Sequence, residues 1–241
     1  MINSSLFKLI MERSIPAHIA IILDGNGRWA KRIGQSRSYG HKVGFDNIKT
    51  IAIHANSLGV KVLSLYCFST ENWKRDKDEV SFLMNLPITF KKDIDLYIKN
   101  NIKVVVSGRK DRIPKNTLSA LDELVTRTSS STGLVLNICF DYGALSDIKY
   151  AINSIIKEDL EGVDENTIYN YLSTKGMPLV DMVIRTGGEK RLSNFLLLES
   201  SYAELFFIDK YWPEFSNNDL DNLIIEYMNR DRRYGGIKWK I

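Results

Sequence analysis

The chain has 241 residues, of which 44% are hydrophobic and 26% charged, a composition that suits a globular protein with a sizeable core and excludes fibrous, low-complexity or disordered classes. Its 33 basic and 29 acidic residues leave a net charge of +4, too mild to argue for a nucleic-acid partner, and none is expected. The two cysteines, Cys67 and Cys139, lie in apolar runs without metal-ligand spacing or a disulfide framework, so they read as buried free thiols in a reducing compartment.

In chain order, residues 1–15 read as a flexible tail or a short amphipathic helix. Lys8, Glu12 and Arg13 interrupt its apolar residues, and no small-residue cleavage site follows, so no signal peptide is expected. A single domain is expected over 16–241. "HIAIIL" (18–23) is a short apolar strand. Residues 40–59 carry apolar residues at helical spacing and end on Gly59, a C-cap candidate. "KVLSLYCF" (61–68) reads as a strand. Residues 78–101 form a long helical pattern with Pro87 inside it, where a kink is expected. "IKVVVSG" (102–108) is a strand, and 114–131 a helix that opens on Pro114. "GLVLNICF" (133–140) is a strand, with helices expected near 146–158 and over 163–174. "VDMVIRT" (180–186) and "AELFFI" (203–208) are strands, and 216–233 is a last helix. No run approaches the roughly 18 apolar residues that span a bilayer.

This alternation predicts an α/β fold: one domain with a roughly six-stranded, mostly parallel sheet covered by helices on both faces. Ligands of such sheets sit outside the carboxyl ends of the strands. The loops after Leu23, Cys67, Phe140 and Ile184 are therefore where a site is expected.

The loop "ILDGNGRWA" admits several chemistries. Gly25, Gly27 and Ala30 fit a dinucleotide fingerprint, but the second strand ends without the acid that would hold the ribose. An aspartyl nucleophile would want a second acid where Asn26 stands. A diphosphate held together with a metal fits better, because magnesium takes one carboxylate plus phosphate oxygens. Asp24 would be that carboxylate. Gly25 and Gly27 let backbone N–H groups approach the anion, and Arg28, Arg37 and His41 add donors. A glycine turn with a helix-capping aspartate is the plainer alternative. His18 and His54 have no Ser or Cys partner in sight, and His54 reads as a helix-face residue.

The second loop, "CFSTENWKRDKDE", places Phe68 and Trp73 beside Ser69, Glu71, Asn72 and Arg75, which suits an apolar ligand with a polar head. The charged run from Lys74 to Asp78 reads as a solvated face. In "RTGGEKRLSNF", Arg185, Arg191 and Ser193 surround Gly187–Gly188. That suggests a second anion site built of two guanidinium forks, a hydroxyl and exposed backbone amides. Glu204 stands among apolar residues as either an exposed edge carboxylate or a second metal ligand.

Taken together, "HIAIILDGNGRWAKRIG", "YCFSTENWKR", "RTGGEKRLSNF", "YAELFF", "YWPEF" and "RDRRYGG" resemble the cis-prenyltransferase family over residues 16 to 236. The resemblance implies a homodimer that condenses isopentenyl diphosphate onto an allylic diphosphate such as farnesyl diphosphate, with a new Z double bond at each step. It implies Mg2+ on Asp24, assisted by Glu204, a residue of a kind the family often places near the subunit boundary. It also implies an allylic diphosphate site at Gly27, Arg28, Arg37 and His41, with Asn26 and Trp29 near the reacting centre. Phe68, Ser69, Asn72, Trp73 and Arg75 would shape the pocket, and Arg185, Arg191 and Ser193 would hold isopentenyl diphosphate. The implied setting is the cytoplasm, with transient contact at the inner membrane face for a long lipid product. A shorter product, or a non-catalytic partner subunit, is the alternative. Phe82, Leu83, Leu86 and Phe90 are candidates for a tunnel wall. The chain departs from the family pattern at Asp141, Ala144 and Leu145, and again at Leu198–Glu199.

Overall fold

The computed structural model describes residues 15–160 and 162–231; the expected N-terminal tail and most of "RDRRYGG" lie outside them. Six parallel strands, β1 (His18–Ile22), β2 (Val62–Ser69), β3 (Lys103–Ser107), β4 (Val135–Tyr142), β5 (Met182–Arg185) and β6 (Glu204–Phe207), form one sheet in the order β3-β4-β2-β1-β5-β6. The expected "mostly parallel" sheet is thus wholly parallel among the described residues.

Side chains alternate between the two faces, as the period of a strand requires. Ile19 and Ile21 of β1, Leu63 and Leu65 of β2, and Leu136 and Ile138 of β4 enter the larger core. Ala20, Ile22, Tyr66 and Cys139 enter a smaller one on the other face. Both faces are apolar because both are covered, which is why these strands read as continuous apolar runs.

The larger core receives α2 (Arg37–Leu58), α3 (Lys77–Thr89), α5 (Lys115–Arg127) and α8 (Asn217–Asn229), and the smaller one receives the start of α6 (Ala144–Lys157). The other helices are α1 (Asn26–Arg32), α4 (Ile94–Lys99) and α7 (Glu165–Tyr171). Ser36 caps α2 by accepting the Tyr39 N–H, and Gly59 ends it in the left-handed region at φ 91°. His54 lies on the α2 face as expected, with its Nε2 2.6 Å from Asp221 Oδ1 of α8.

Two expectations need correction. The helix expected over 78–101 is three pieces: α3, a 3-10 turn at Phe90–Asp93, and α4. Pro87 cannot donate to Leu83, and the weakened ladder tightens three residues later. The break turns Phe90 inward, its ring 4.1 Å from Phe45 and 6.2 Å from Tyr97. The helix expected to reach 233 ends at Asn229, where Arg230 turns extended and pairs with Glu226 and Glu204. No described helix is long and apolar enough to cross a membrane.

Candidate active site

A cavity of about 630 Å3 opens at the carboxyl ends of β1, β2, β4 and β5, where the loops after Leu23, Cys67, Phe140 and Ile184 meet. Its mouth carries Asp24, Asn26, His41, Ser69, Glu71, Asn72, Arg75, Arg185, Arg191 and Ser193, and its interior is walled by Phe45, Ile48, Leu83, Leu86, Phe140 and Trp212. One polar end and one apolar end suit an amphiphilic ligand.

The first loop is organised by Asp24. Gly25, at φ 96°, starts α1 in a conformation that only glycine adopts without strain. Its N–H goes to Asp24 Oδ1 at 2.6 Å, so the glycine loop is already closed on its own acid. Arg28 Nη2 donates to the same oxygen at 3.1 Å, and Arg185 Nη2 donates to Oδ2 at 2.9 Å. Burial opposes the Asp24 charge. The hydrogen bond and charge of Arg185, then Arg28 and the Gly25 N–H, outweigh it and hold the carboxyl below its ordinary pKa.

Arg185, at 4% exposure, is pinned from three sides. Its Nη1 donates to the Arg191 carbonyl at 2.6 Å and to Ser193 Oγ at 2.7 Å. Its Nε is buried without a partner among the described residues, as is Asn26 Oδ1. Asn26 Nδ2 is held by the Leu23 carbonyl at 2.9 Å, while Oδ1 faces Gly44, where any Cβ would collide with it.

A second cluster surrounds Glu79, which sequence reasoning passed over. Its carboxylate accepts Arg37 Nε and Nη2, both at 3.1 Å, and Arg75 Nη1 at 2.9 Å, with His41 Nε2 at 3.2 Å. Burial opposes the Glu79 charge, but Arg37, Arg75 and His41 hold its pKa below the ordinary value. Burial lowers the His41 pKa, against the pull of Glu79. The available signal was the acid four residues after Arg75, one helical turn away.

The turn after β2 is a 3-10 segment, Thr70–Lys74, closed by the Ser69 N–H donating to Asn72 Oδ1 at 3.0 Å. Asn194 Nδ2 holds Glu71 Oε1 at 3.1 Å. Ser69, Glu71, Asn72 and Arg75 line the cavity, whereas Phe68 and Trp73 stand behind its wall in edge-to-face contact, 5.4 Å between centroids. Trp29 stacks on Tyr39, and Gly27 packs under the Arg37 guanidinium, both beside the cavity rather than in its lining. Of the expected tunnel residues Leu83 and Leu86 line the interior, while Phe90 is core. Cys67 also lines it, and burial pushes its thiol up to about 12; both cysteines are free, as expected.

One expectation about the second anion site fails on geometry. The Gly187 and Gly188 N–H groups are not exposed to a ligand, because they donate to the carbonyls of Lys210 and Ile208 at 2.9 Å. Within a single chain Glu204 stands apart from Asp24, so a part in metal binding would have to be played across a subunit boundary. It opens β6 level with Met182 and hence Ile19, five residues before Asp24 on a parallel strand, about 16 Å along the sheet. It pairs with Arg230 Nη1 at 2.8 Å instead. Among the described residues no three His, Cys, Asp or Glu side chains form a cation cage. The cavity carboxylates Asp24 and Glu71 still suit magnesium, which needs one or two carboxylates and completes its shell with substrate phosphates and water. Asp24 accepts three hydrogen bonds of roughly four that a carboxylate can take, so a lone pair is left for a cation.

Comparison with known proteins agrees with this geometry. Residues 22–235 match the family described as "Putative undecaprenyl diphosphate synthase". The isoprenyl transferase of Streptococcus thermophilus (strain CNRZ 1066) is 45% identical over 235 residues, 93% of this chain and 94% of that protein. That of Clostridium perfringens (strain 13 / Type A) is 44% identical over 237 residues, 95% of this chain and 94% of that protein. Among solved structures, lavandulyl diphosphate synthase from Lavandula x intermedia, in complex with dimethylallyl diphosphate, superimposes with a TM-score of 0.88 at 32% identity, covering 92% of this chain and 98% of that one. A probable undecaprenyl diphosphate synthase from Campylobacter jejuni gives 0.77 at 30% identity, covering 91% and 98%. With strand order, cavity and sequence in agreement, the chain belongs to the undecaprenyl diphosphate synthase family of cis-prenyltransferases and is a prenyl transferase.

Proposed function

We propose that the protein condenses isopentenyl diphosphate onto an allylic diphosphate, farnesyl diphosphate foremost, to build a long-chain Z-polyprenyl diphosphate of the undecaprenyl type, a lipid carrier precursor for cell-wall synthesis. The observation that carries this reading is the cavity itself: two cation clusters at a polar mouth and an apolar interior behind them.

In this reading Arg28, Arg37, His41 and Arg75 receive the allylic diphosphate, and Arg185, Arg191 and Ser193 receive that of isopentenyl diphosphate. Arginine suits both, since its fork matches phosphate oxygens in pairs. The allylic C–O bond breaks as the new C–C bond forms, C2 of the isopentenyl unit gives up a proton to the departing diphosphate or to water to leave the new double bond, and the negative charge gathering on that diphosphate is met by guanidinium groups already in place. Magnesium, held by Asp24 and phosphate oxygens, would supply further charge stabilisation. Asn26 and Asn72 orient the reacting ends at the mouth, and fixing both substrates in one geometry replaces an encounter in solution. The apolar walls keep water from the allylic cation. The active form would be a homodimer, with the lipid product released at a membrane surface.

Incubation with labelled isopentenyl diphosphate, farnesyl diphosphate and magnesium should move label into extractable lipid, and chelation should stop it. No labelled lipid from any of several allylic starters would refute the reading. Arg185→Ala should raise the KM for isopentenyl diphosphate; a selective effect on the allylic substrate would exchange the two anion sites. Liposome binding with and without product tests the membrane step.

A further inference from the structure

Asp141 is fully buried at the carboxyl end of β4, directly after the cavity residue Phe140, and its backbone is left-handed at φ 50°. A carboxylate there must be paired to be tolerated. It is paired twice. Arg112 forks onto it, Nε to Oδ2 at 2.7 Å and Nη2 to Oδ1 at 2.6 Å, and Trp73 Nε1 donates to Oδ1 at 2.8 Å. The Arg112 guanidinium also lies 5.1 Å from the centroid of the Trp73 ring. The Asp141 carbonyl accepts the Arg109 N–H at 3.1 Å. One buried residue thereby joins the end of β4, the loop after β3 and the turn after β2.

That turn is otherwise held by the Ser69 N–H on Asn72, by Asn194 on Glu71 and by the Trp73 ring against Phe68. Thr70–Lys74 contains no buried residue. The β2–β4 ladder beneath it slips register twice, between Tyr66 and Phe68 and between Phe68 and Ser69, so strand pairing sets its place only loosely. Yet Ser69, Glu71, Asn72 and Arg75 on and beside this turn form one side of the cavity mouth.

We infer that Asp141 and Arg112, which stand outside the cavity, are positioning residues for its mouth: they anchor the Trp73 indole and so fix the turn that carries Glu71 and Asn72. The inference deepens the proposed function and rests on it for its kinetic consequence only.

Hydrogen exchange on the unliganded full chain tests it without any assay of activity. In Trp73→Phe and in Asp141→Ala the amides of residues 70–75 should exchange at least tenfold faster, while those of β1 and β5 stay unchanged. Asp141→Asn, which still offers an acceptor to the indole, should fall between. The double variant Trp73→Phe/Asp141→Ala should be no faster than Asp141→Ala. In turnover, Trp73→Phe should raise the KM for at least one diphosphate substrate about fivefold with a smaller change in kcat. Unchanged exchange at 70–75 would overturn the inference, and so would equal acceleration in β1 and β5, which marks a residue that only stabilises the fold. If Asp141→Ala does not fold, Trp73→Phe, which keeps the packed ring, decides alone. Absence of prenyl transfer in the parent protein would sink the functional reading and leave the exchange result standing.

Discussion

Arg185 Nη2 and Asp24 Oδ2 meet at 2.9 Å across the ends of β5 and β1, binding the two loops proposed to receive the two diphosphates. The acid in the glycine loop is therefore no obstacle to a diphosphate. It holds the buried Arg185 in place and keeps a lone pair for a cation.

This pairing makes Asp24 part of the fold as well as the chemistry, so two substitutions separate its roles. Asp24→Asn keeps an acceptor for Arg185 and should retain stability, yet lower turnover by roughly 100-fold or more, the usual loss when one charge-stabilising group is removed. Asp24→Ala should in addition cost about 1–3 kcal/mol in urea unfolding, because a 4% exposed Arg185 loses a partner. Near-normal activity in Asp24→Asn would refute the metal role.

Glu79 accepts from Arg37 and Arg75 and sits 3.2 Å from His41, on the cations assigned to the allylic diphosphate. It both orients them and competes for them. Glu79→Gln keeps the shape and removes the charge. Inorganic pyrophosphate should then bind several-fold tighter at low salt, with the gain fading at high salt as screening removes it. Turnover should fall, because the donors lose their common anchor. Calorimetric titration and steady-state kinetics read the two effects separately; weaker pyrophosphate binding would show that orientation outweighs competition.

The sheet was legible because strands covered on both faces are continuous apolar runs, and Gly59 and Pro114 punctuate the helices where their chemistry requires. Asp24, Arg185 and Ser193 were legible because they follow strand ends, where parallel sheets put ligands. Glu79 was hidden in the charged run that begins at Lys74, since whether a carboxylate faces solvent or three cations depends on α2 packing beside it. Where Glu204 stands was not legible, because which end of the sheet an acid occupies is set by strand register, here level with Met182. Trp73 looked like a wall residue, but its indole N–H turns away toward Asp141.

Under the proposed function, the cavity interior would limit chain growth. Leu83 and Leu86 of α3 line, together with Ile48 and Phe140, a space of about 630 Å3, the size of a drug-sized ligand pocket and too small for a complete long polyprenyl chain. A long product of the proposed kind would have to leave this space, and the leucines of α3 are the proposed way out. Leu86→Trp adds bulk there and should shorten the product by several isoprene units with little change in the KM of either substrate. Chromatography of the extracted lipids reads the distribution. An unchanged distribution from a folded, active variant would place the exit elsewhere.

Glu199 supplies a prediction that does not depend on catalysis. It is 4% exposed, its Oε1 accepts Thr174 Oγ1 at 2.6 Å, and burial raises its pKa despite that bond. A carboxyl whose folded pKa lies above its unfolded one binds more protons folded than unfolded across that interval. Stability is then lost as pH rises from the unfolded value near 4.5 through the folded one, and the full penalty persists above it. Glu199→Gln preserves the acceptor for Thr174 and removes the buried charge. At pH 8 it should be more stable than the parent by ~0.5–2 kcal/mol, the usual gain of one well-placed substitution. Well below pH 4.5 that advantage should vanish, because the parent is then neutral at this position in both states. Urea midpoints at the two pH values decide the matter: a gain of equal size at both would mean that packing, and not the buried charge, separates the two proteins.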